Sequence, residues 1–524
     1  MKLAREPAGA QRQMAVDTTL SADKEIWRPG IFALGFAIAG AVVATSLALV
    51  IAAVTAMQLF WLPAAMLGGI AVMAWCLQRP SRWLYLLIAT IFLESSNVSL
   101  HIGGARVRPA QIVLLPALAM TVLFALGGII RLRRVPLLVP LLFYLACNSL
   151  STLFSPVPGQ CLKILILMAS LVALYAVAFV LVLDDPAAWP TIFRFFVIVG
   201  LLEVGFGFYQ VAAGYANVKL GVGLPIGALG IVHTEYIGTI FGRPYGSLPE
   251  PDTYGAVCIF YGLMLGLMWT TASSLPHAKR LTRLTAAAAT IGLLIGIVRA
   301  SWFGFLIGLA WAALLSLTGR FRGIRAFRVV AIGGLAALFI GGALTASPGL
   351  RQILARRFDT AGRTDEASLS LQNARFRQMV MSYDLFRQRP FLGNGPGSFS
   401  ALGAIGAHQD YYLSEGWDLS RLYDPSIVTT VLNDTGVLGA VSFVALVAAY
   451  FSYVRRRWRR LPDSASRKAA LSAHAALVGL FASFIFTHYF WLPFTWLFLA
   501  VALLHFEPEI ANLRNRYRTT ATRQ

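Results

Sequence analysis

Long runs of apolar residues follow one another along most of the chain, with short polar segments between them. Clear examples lie at residues 30–54, 110–130, 162–183, 190–213 and 428–452. A helix needs about 20 apolar residues to cross a bilayer, and most of the runs approach that length. The pattern predicts an all-α polytopic membrane protein with about 12–14 transmembrane helices. Residues 284–318 fit either one long broken element or a tight hairpin around Arg299.

Two longer polar segments interrupt the apolar runs. Residues 214–251 are rich in Gly and Pro, and residues 347–427 form the longest polar interval in the chain. The pattern divides the chain into a polar N-terminal segment, a transmembrane bundle that contains the first loop, a large second loop, further transmembrane helices and a basic tail. These parts are residues 1–29, 30–346, 347–427, 428–506 and 507–524.

The large loop contains a predicted helix and a predicted turn. Apolar residues repeat at helical spacing over residues 372–389, namely Phe376, Met379, Val380, Tyr383 and Phe386. This spacing predicts an amphipathic helix that lies on the membrane surface or packs on the bundle. The run that follows, Gly393-Asn394-Gly395-Pro396-Gly397, predicts a turn.

Composition supports the membrane class and excludes two others. Hydrophobic residues make up 57% of the chain and charged residues only 13%, whereas soluble domains carry about 25% charged residues. This deficit excludes a water-soluble surface over most of the chain. The apolar runs are continuous and do not alternate with polar residues, which excludes an outer-membrane barrel.

Basic residues concentrate in every second connecting segment. The cytoplasmic segments of membrane proteins carry an excess of Lys and Arg. With the N-terminus inside, these short basic segments fall on the cytoplasmic side: 79–82, 131–134, 279–283, 320–328, 455–468 and 514–523. The long loop at residues 347–427 holds nine basic residues, but long loops translocate largely regardless of charge. The alternation predicts that both termini are cytoplasmic and that residues 347–427 are extracytoplasmic. It also accounts for the net charge of +21 without a nucleic-acid partner.

The sequence predicts no metal or cofactor site. The four cysteines lie in or near apolar runs without metal-ligand spacing, and we interpret them as small apolar residues. The glycines of the predicted turn lack the Lys-Ser/Thr and the strand–helix context of a nucleotide loop, so we interpret them as setting the shape of the turn.

Several segments resemble one known family. An amphipathic helix that opens with Arg375, followed by Arg389-Pro390-Phe391-Leu392-Gly393-Asn394-Gly395, resembles the signature of the O-antigen ligase and O-antigen (exopolysaccharide) polymerase superfamily of membrane glycosyltransferases. Three further segments are similar to other parts of that family: residues 242–252 with Arg243, residues 298–304 with Arg299 and residues 429–439 with Gly436. Together the similar segments extend over residues 240–445.

The resemblance implies a reaction and its partners. Such enzymes transfer a glycan from an undecaprenyl diphosphate carrier at the outer face of the bacterial inner membrane. Polymerases move it to another lipid-linked repeat unit, and ligases move it to lipid A–core in lipopolysaccharide biosynthesis. The reaction needs no metal or nucleotide sugar, and membrane lipids, chain-length regulator proteins and flippase proteins are the further partners implied.

Three arginines are candidates for binding the carrier diphosphate. Arginine stays charged and donates two parallel hydrogen bonds to phosphate oxygens. Arg243 and Arg299 are predicted at outer helix ends, and Arg299 has apolar flanks on both sides. The alternative is that they interact with lipid headgroups or helix dipoles. Arg375 could equally be a surface residue of the amphipathic helix.

The sequence leaves three alternatives for the identity of the general base. Ligases of the family usually carry a histidine about eleven residues before the glycine that corresponds to Gly436, and this chain has Pro425 there. Either His408 reaches the site, or Asp424 substitutes, or no side chain acts as base. The missing histidine favours a polymerase over a ligase.

Two other function classes compete with a glycan transferase. A lipid-linked oligosaccharide flippase can have a similar number of helices, but it should show two similar halves and charges along a central cavity. This chain concentrates its polar residues in two loops, which favours an enzyme. A structural subunit of an export complex is the third possibility, and activity of the purified protein alone would exclude it.

Overall fold

A computed structural model describes most of the chain, and all structural statements below concern that part. The described residues are 62–93, 100–102, 105–216, 235–237, 241–248, 250–270, 279–317, 369–403, 424, 426–462, 464–487 and 490–513. They form two compact units. The first unit contains residues 62–78 and 122–130, and the second contains the other described residues.

The first unit is small and helical. It contains helix α1 (Leu62–Gln78) and the last residues of helix α3 (Pro109–Leu126). Gly128 follows α3 in the left-handed conformation with φ 72°, and the Ile129 N–H bonds to the Phe124 carbonyl at 2.8 Å. The helix therefore ends in a glycine cap, which satisfies carbonyls that its last turn would leave unpaired.

The second unit is a helical bundle with two small β-hairpins. Its elements in chain order are α2 (Trp83–Ile91), β1 (Leu100–Ile102), β2 (Ala105–Val107), the first part of α3, α4 (Leu138–Leu153), α5 (Pro158–Asp184), α6 (Trp189–Tyr215), β3 (Glu235–Ile237), β4 (Phe241–Arg243), α7 (Pro251–Thr270), α8 (Lys279–Gly296), α9 (Arg299–Leu317), α10 (Leu369–Gln388), α11 (Ser398–Gly403), α12 (Ile427–Trp458), α13 (Ser464–Ser483) and α14 (Pro493–Leu504). Both hairpins are antiparallel, and Glu235 pairs with Arg243 in the second.

Among the described residues, five helices are long and apolar enough to cross a membrane. They are Pro109–Leu126, Pro158–Asp184, Pro186–Tyr215, Pro251–Trp269 and Ile427–Trp458. Shorter apolar helices accompany them, including α4 and α14. These lengths agree with a helical membrane protein. The predicted span at residues 30–54 lies outside the described residues.

Helix α7 lies at the centre of the second unit. Nearly all of its residues are buried, and it packs against α6, α8, α9 and α13. The aromatic core forms where α6, α7 and α14 meet, with the Phe260 and Phe498 rings stacked at 4.1 Å. Stacked and edge-on aromatic pairs add about 0.5–1.5 kcal/mol each beyond the area that they bury.

Helices α9 and α13 cross at close range because glycines face each other. A Cβ on Gly304 would lie 2.4 Å from the Gly479 carbonyl oxygen, and one on Gly479 would lie 2.7 Å from the Gly304 carbonyl oxygen. Small residues of this kind let two backbones approach in a membrane, where dispersion contacts drive helix association. The crossing fixes the start of α9 beside the end of α13.

The structure decides the question left open for residues 284–318. Helix α8 ends at Gly296 and α9 begins at Arg299, so two helices meet at a break and there is no single long element. Ile297 takes the left-handed conformation at this break, with φ 49°. That conformation is costly for a β-branched residue, and the surrounding packing therefore holds the break.

Helix α10 is present where the amphipathic helix is predicted, but its buried face differs from the expectation. Val380 and Tyr383 of the apolar stripe are exposed, whereas Gln378 and Ser382 are buried. The helix packs on α12, and the Ser382 hydroxyl bonds to the Asp424 carboxylate there. A polar partner on the bundle thus overrides the apolar periodicity.

Candidate active site

The glycine-rich turn docks into a break in helix α12. The helix is interrupted at Gly436, whose φ is 61° and ψ is −160°. On one side of the break, Asn394 and Gly395 donate their N–H groups to the carbonyls of Asn433 and Asp434 at 2.7 and 2.9 Å. On the other side, Val437 and Leu438 donate to the carbonyls of Pro390 and Phe391 at 2.8 and 3.2 Å. The turn therefore satisfies both broken ends of the helix inside the bundle.

Glycine is required on both sides of this contact. Gly393, Gly395 and Gly397 all have positive φ, at 71°, 97° and 70°. A Cβ on Gly393 would lie 2.5 Å from the Thr435 nitrogen, and a Cβ on Gly436 would lie 2.5 Å from the Phe391 carbonyl oxygen. Only glycine adopts this backbone conformation cheaply and also leaves room for the second backbone.

Hydrogen bonds to α10 and to the residues just after α4 hold the turn in place. The Ser155 hydroxyl donates to the Asn394 carbonyl at 2.5 Å, and the Asn394 amide donates to the Leu385 carbonyl at 2.9 Å. Arg389 also donates to the carbonyl of Phe154 at the end of α4. The turn is therefore a fixed structural element.

Asp424 is a buried carboxylate at the start of α12. Only 3% of the residue is exposed. It accepts hydrogen bonds from the hydroxyls of Ser382 and Thr429 and from the Ser426 N–H, the last at 3.3 Å. Burial raises its pKa from 3.8 to about 6, although these hydrogen bonds pull the pKa downwards. A carboxylate with this pKa is ionised at neutral pH and still basic enough to accept a proton.

The segment that follows Arg243 is fixed to α6 by two buried polar side chains. Glu203 accepts from the Ser247 N–H at 2.8 Å and from the Ser247 hydroxyl at 2.5 Å. Gln210 accepts from the N–H groups of Tyr245 and Gly246 at 2.9 and 2.8 Å, and it donates to the Gly246 carbonyl at 2.8 Å. A buried loop must pair its backbone groups, and these two side chains supply the partners.

Sequence reasoning missed Glu203 and Gln210. They lie seven residues apart, which places them on one face of a helix that is otherwise apolar. Polar residues on one face of a spanning segment are the signal that could have identified them, since such residues face the protein interior and mark functional or structural sites. Ser382 was also not predicted, because the apolar stripe indicated that a different face of α10 would be buried.

Arg299 begins helix α9 and is exposed. The helix dipole places partial positive charge at this N-terminus, so an arginine here does not stabilise the helix. An arginine at a helix N-terminus favours an anion there instead. Ser301, two residues after Arg299, is buried and packs against Gly255 of α7. A Cβ added to Gly255 would lie 2.2 Å from the Ser301 Oγ.

A chain of contacts brings these features to one end of the second unit. Gly246 lies in the loop after Arg243 that Glu203 and Gln210 hold against α6, hereafter the clamped loop. It packs against Tyr254 in the first turn of α7, beside the start of α9. Phe303 of α9 stacks edge-on with Phe486, just after α13, with ring centroids 5.3 Å apart. The Ile427 N–H then bonds to the Phe484 carbonyl at 2.9 Å. Asp424 lies three residues before Ile427, so it shares this end with Arg299.

The basic segments lie at the opposite end of the same unit. Arg133 pairs with Glu509, and Arg457 pairs with Glu507 at 3.4 Å. Helix α12 begins at Ile427, three residues after Asp424, and carries Arg455, Arg456 and Arg457 in its last turn. The two ends of the unit therefore differ in chemistry.

The other predicted site residues are less completely described. Arg243 lies in β4, directly before the clamped loop, and Arg375 lies in α10, two turns before Ser382; the structure describes the backbone but not the side chain of either. His408 lies outside the described residues. In the part of the chain that the structure covers, no group of three or more His, Cys, Asp or Glu is placed to hold a metal ion.

No family model and no curated protein matches the chain. One end of a helical bundle carries an arginine at a helix N-terminus, a rigidly held loop that follows a second arginine, and a buried carboxylate with a raised pKa. Such a set can bind an anion and accept a proton at the same surface.

Proposed function

We propose that the protein transfers a glycan from an undecaprenyl diphosphate carrier to a glycan acceptor, as an exopolysaccharide or O-antigen polymerase. The observation that carries the proposal is that Arg299, the Arg243 loop and Asp424 lie at one end of the bundle. The similar segments of the sequence that include Arg389, Gly393 and Gly436 meet at the same end through backbone hydrogen bonds.

The charge distribution supports an orientation for this site. We assign the end that carries Arg133 and Arg457 to the cytoplasm, because cytoplasmic segments are basic. The site then faces the periplasm at the bacterial inner membrane, with about 12–14 spans and both termini cytoplasmic. The exposed apolar side of α10 would contact lipid at the membrane surface.

The proposed roles follow from charge and position. Arg299 and Arg243 bind the diphosphate and neutralise the charge that develops as it leaves, an effect that usually supplies the largest catalytic contribution. Asp424 removes the proton from the acceptor hydroxyl, since its raised pKa suits a general base. Arg375 lies on the same helix as Ser382 and is a further candidate for the diphosphate.

Deleting the gene and examining surface polysaccharide tests the proposal. A polymerase is expected to leave single repeat units on the acceptor, with no long polymer. Polymer that accumulates on the carrier and is missing from lipid A–core would instead indicate a ligase. Repeat units confined to the cytoplasmic face would indicate a flippase, and an unchanged glycan profile would contradict glycan handling altogether. The purified protein with a synthetic lipid-linked donor then tests whether it acts without partners.

A further inference from the structure

His474 of α13 lies in the interior of the bundle and bonds to two other helices. Only 2% of the residue is exposed. Its Nε2 accepts a hydrogen bond from the Trp311 indole N–H of α9 at 3.0 Å. Its Nδ1 lies 2.6 Å from the Tyr450 hydroxyl oxygen of α12. One side chain therefore connects three helices, and these two hydrogen bonds are called the His474 bridge below.

The indole of Trp311 fixes the proton of the His474 ring. An indole N–H can only donate, so His474 Nε2 carries no proton. The ring is therefore neutral, with its single proton on Nδ1, and Nδ1 donates to the Tyr450 oxygen. The ring centroids of Trp311 and Phe451 lie 5.9 and 5.7 Å from that of His474. These largely apolar surroundings suit a neutral ring, because a buried charge without a partner is costly.

The His474 bridge joins two groups of helices that carry different parts of the candidate site. Helix α9 begins at Arg299 and packs chiefly on α13. Helix α12 follows Asp424 and packs chiefly on α4 and α10. At the site end, the Ile427 N–H ties α12 to the Phe484 carbonyl after α13. The bridge ties α12 to α13 and α9 a second time, deeper in the bundle.

Two ties at different depths fix an angle that one tie would leave free. Trp311 lies about 18 Å from Arg299 along α9, at about 1.5 Å per residue. A small tilt of α9 about one tie would therefore displace Arg299 relative to Asp424. A displacement of about 1 Å at the reacting groups can cost about 100-fold in rate.

We propose that His474 is a positioning residue, which holds α9 and α12 at the angle that places Arg299 and Asp424 on one substrate. His474 itself touches no substrate, since it acts through the two helices. Its effect on turnover rests on the proposed glycan transfer, whereas its proton position and its effect on helix placement do not.

Two measurements on the full-length protein in detergent test the bridge without substrate. With isotope-labelled histidine, nitrogen NMR at neutral pH should show His474 protonated on Nδ1 and bare on Nε2; its signals are those that His474→Gln removes. For helix placement, spin labels on Leu306→Cys of α9 and Val428→Cys of α12 report a distance by pulsed electron paramagnetic resonance. Both positions are exposed and the four native cysteines are buried, so labelling is selective.

Two substitutions of His474 separate the hydrogen bonds from the bulk of the ring. His474→Leu leaves the Trp311 N–H and the Tyr450 hydroxyl without this partner, and the label distance should shift or broaden. Its kcat should fall at least about 10-fold, whereas KM for the lipid-linked donor should stay near the wild-type value. His474→Gln keeps one acceptor and one donor, so it should restore a narrow distance and most of the turnover.

Ser472→Ala is the matched control on the same helix. The Ser472 hydroxyl bonds to the Lys468 carbonyl at 2.8 Å, and the variant should match the wild type in distance and turnover. If His474→Leu does not fold, Tyr450→Phe removes a single hydroxyl and should broaden the distance in the same sense.

Three results would overturn the inference. They are a His474 ring protonated on Nε2, a label distance that neither His474→Leu nor Tyr450→Phe changes, and a His474→Gln variant as defective as His474→Leu. A wild type that transfers no glycan, together with the expected proton position and distances, would instead contradict the proposed function and leave the role of His474 in helix placement supported.

Discussion

The Ser382 hydroxyl donates a hydrogen bond to the buried carboxylate of Asp424 and so fixes helix α10 to the start of α12. These two residues are 42 positions apart in the chain. The contact holds α10 against the bundle beside the candidate site. The hydrogen bond also lowers the pKa of Asp424 and so opposes the larger increase that burial causes.

Replacing Ser382 by Ala should therefore raise the pKa of Asp424 further, because a donor to its charged form is removed. The acid limb of the pH–rate profile should move to higher pH. The lost bond should also cost about 1–3 kcal/mol of the free energy of unfolding. Ser472→Ala is the control, because among the described residues that hydroxyl bonds only to the Lys468 carbonyl in its own helix, at 2.8 Å. An unmoved acid limb in Ser382→Ala would contradict the assignment of Asp424 as base.

Asp424→Asn should abolish the general base and lower turnover by about 100-fold or more. It should also change how stability depends on pH. The pKa rises on folding from 3.8 to about 6, so the carboxyl stabilises the fold fully below about pH 4. This contribution, about 3 kcal/mol at about 1.4 kcal/mol per pKa unit, is lost as pH rises through about 6.

The measurement is thermal unfolding of wild type and Asp424→Asn between pH 4 and pH 8. The wild type should lose stability over this range relative to the variant. His408→Ala serves as the competing test of the base: a turnover loss there with none in Asp424→Asn would transfer the role to the histidine.

Gly436→Ala should destabilise the junction between the turn and α12. The residue has φ 61°, and an added Cβ would lie 2.5 Å from the Phe391 carbonyl oxygen. We expect a loss of about 2 kcal/mol or more, because both backbone strain and a steric clash oppose the change. Gly205→Ala in α6 is the control, since nothing lies within 4 Å of its added Cβ. Equal apparent Tm values for both variants would show that the break does not need glycine.

Gln210→Leu should release the loop that follows Arg243. The variant loses three hydrogen bonds to the Tyr245 and Gly246 backbone, and turnover should fall because Arg243 is no longer held. A double variant with Arg243→Lys tests this reason. Residues that act through one another are not additive, so the double variant should be little worse than Arg243→Lys alone. Fully additive losses would mean that the clamp does not serve Arg243.

Arg299→Lys should lower turnover at least about 10-fold, since lysine keeps the charge but loses the bidentate fork. Protein level and apparent Tm should stay close to the wild type, because the residue is exposed at the helix start. Arg387→Lys on α10 is the control for an exposed arginine. Wild-type turnover in Arg299→Lys at normal protein level would contradict the diphosphate role.

The sequence by itself determined the membrane class and most helix positions among the described residues. These follow from local composition and periodicity, because apolar length sets a span and charge sets its orientation. It also predicted the glycine turn, and it named Arg299 and Asp424 as candidates for the site, with His408 as the alternative base.

Only the tertiary structure decided which segments meet. The turn at residues 390–397 and the break at Gly436 are complementary through backbone groups, which no side-chain pattern reports. The buried face of α10 follows Ser382 and not the apolar stripe, because a carboxylate from a distant segment needs a donor. The clamp by Glu203 and Gln210 likewise depends on a loop more than 30 residues away, and its partners exist only once the chain has folded.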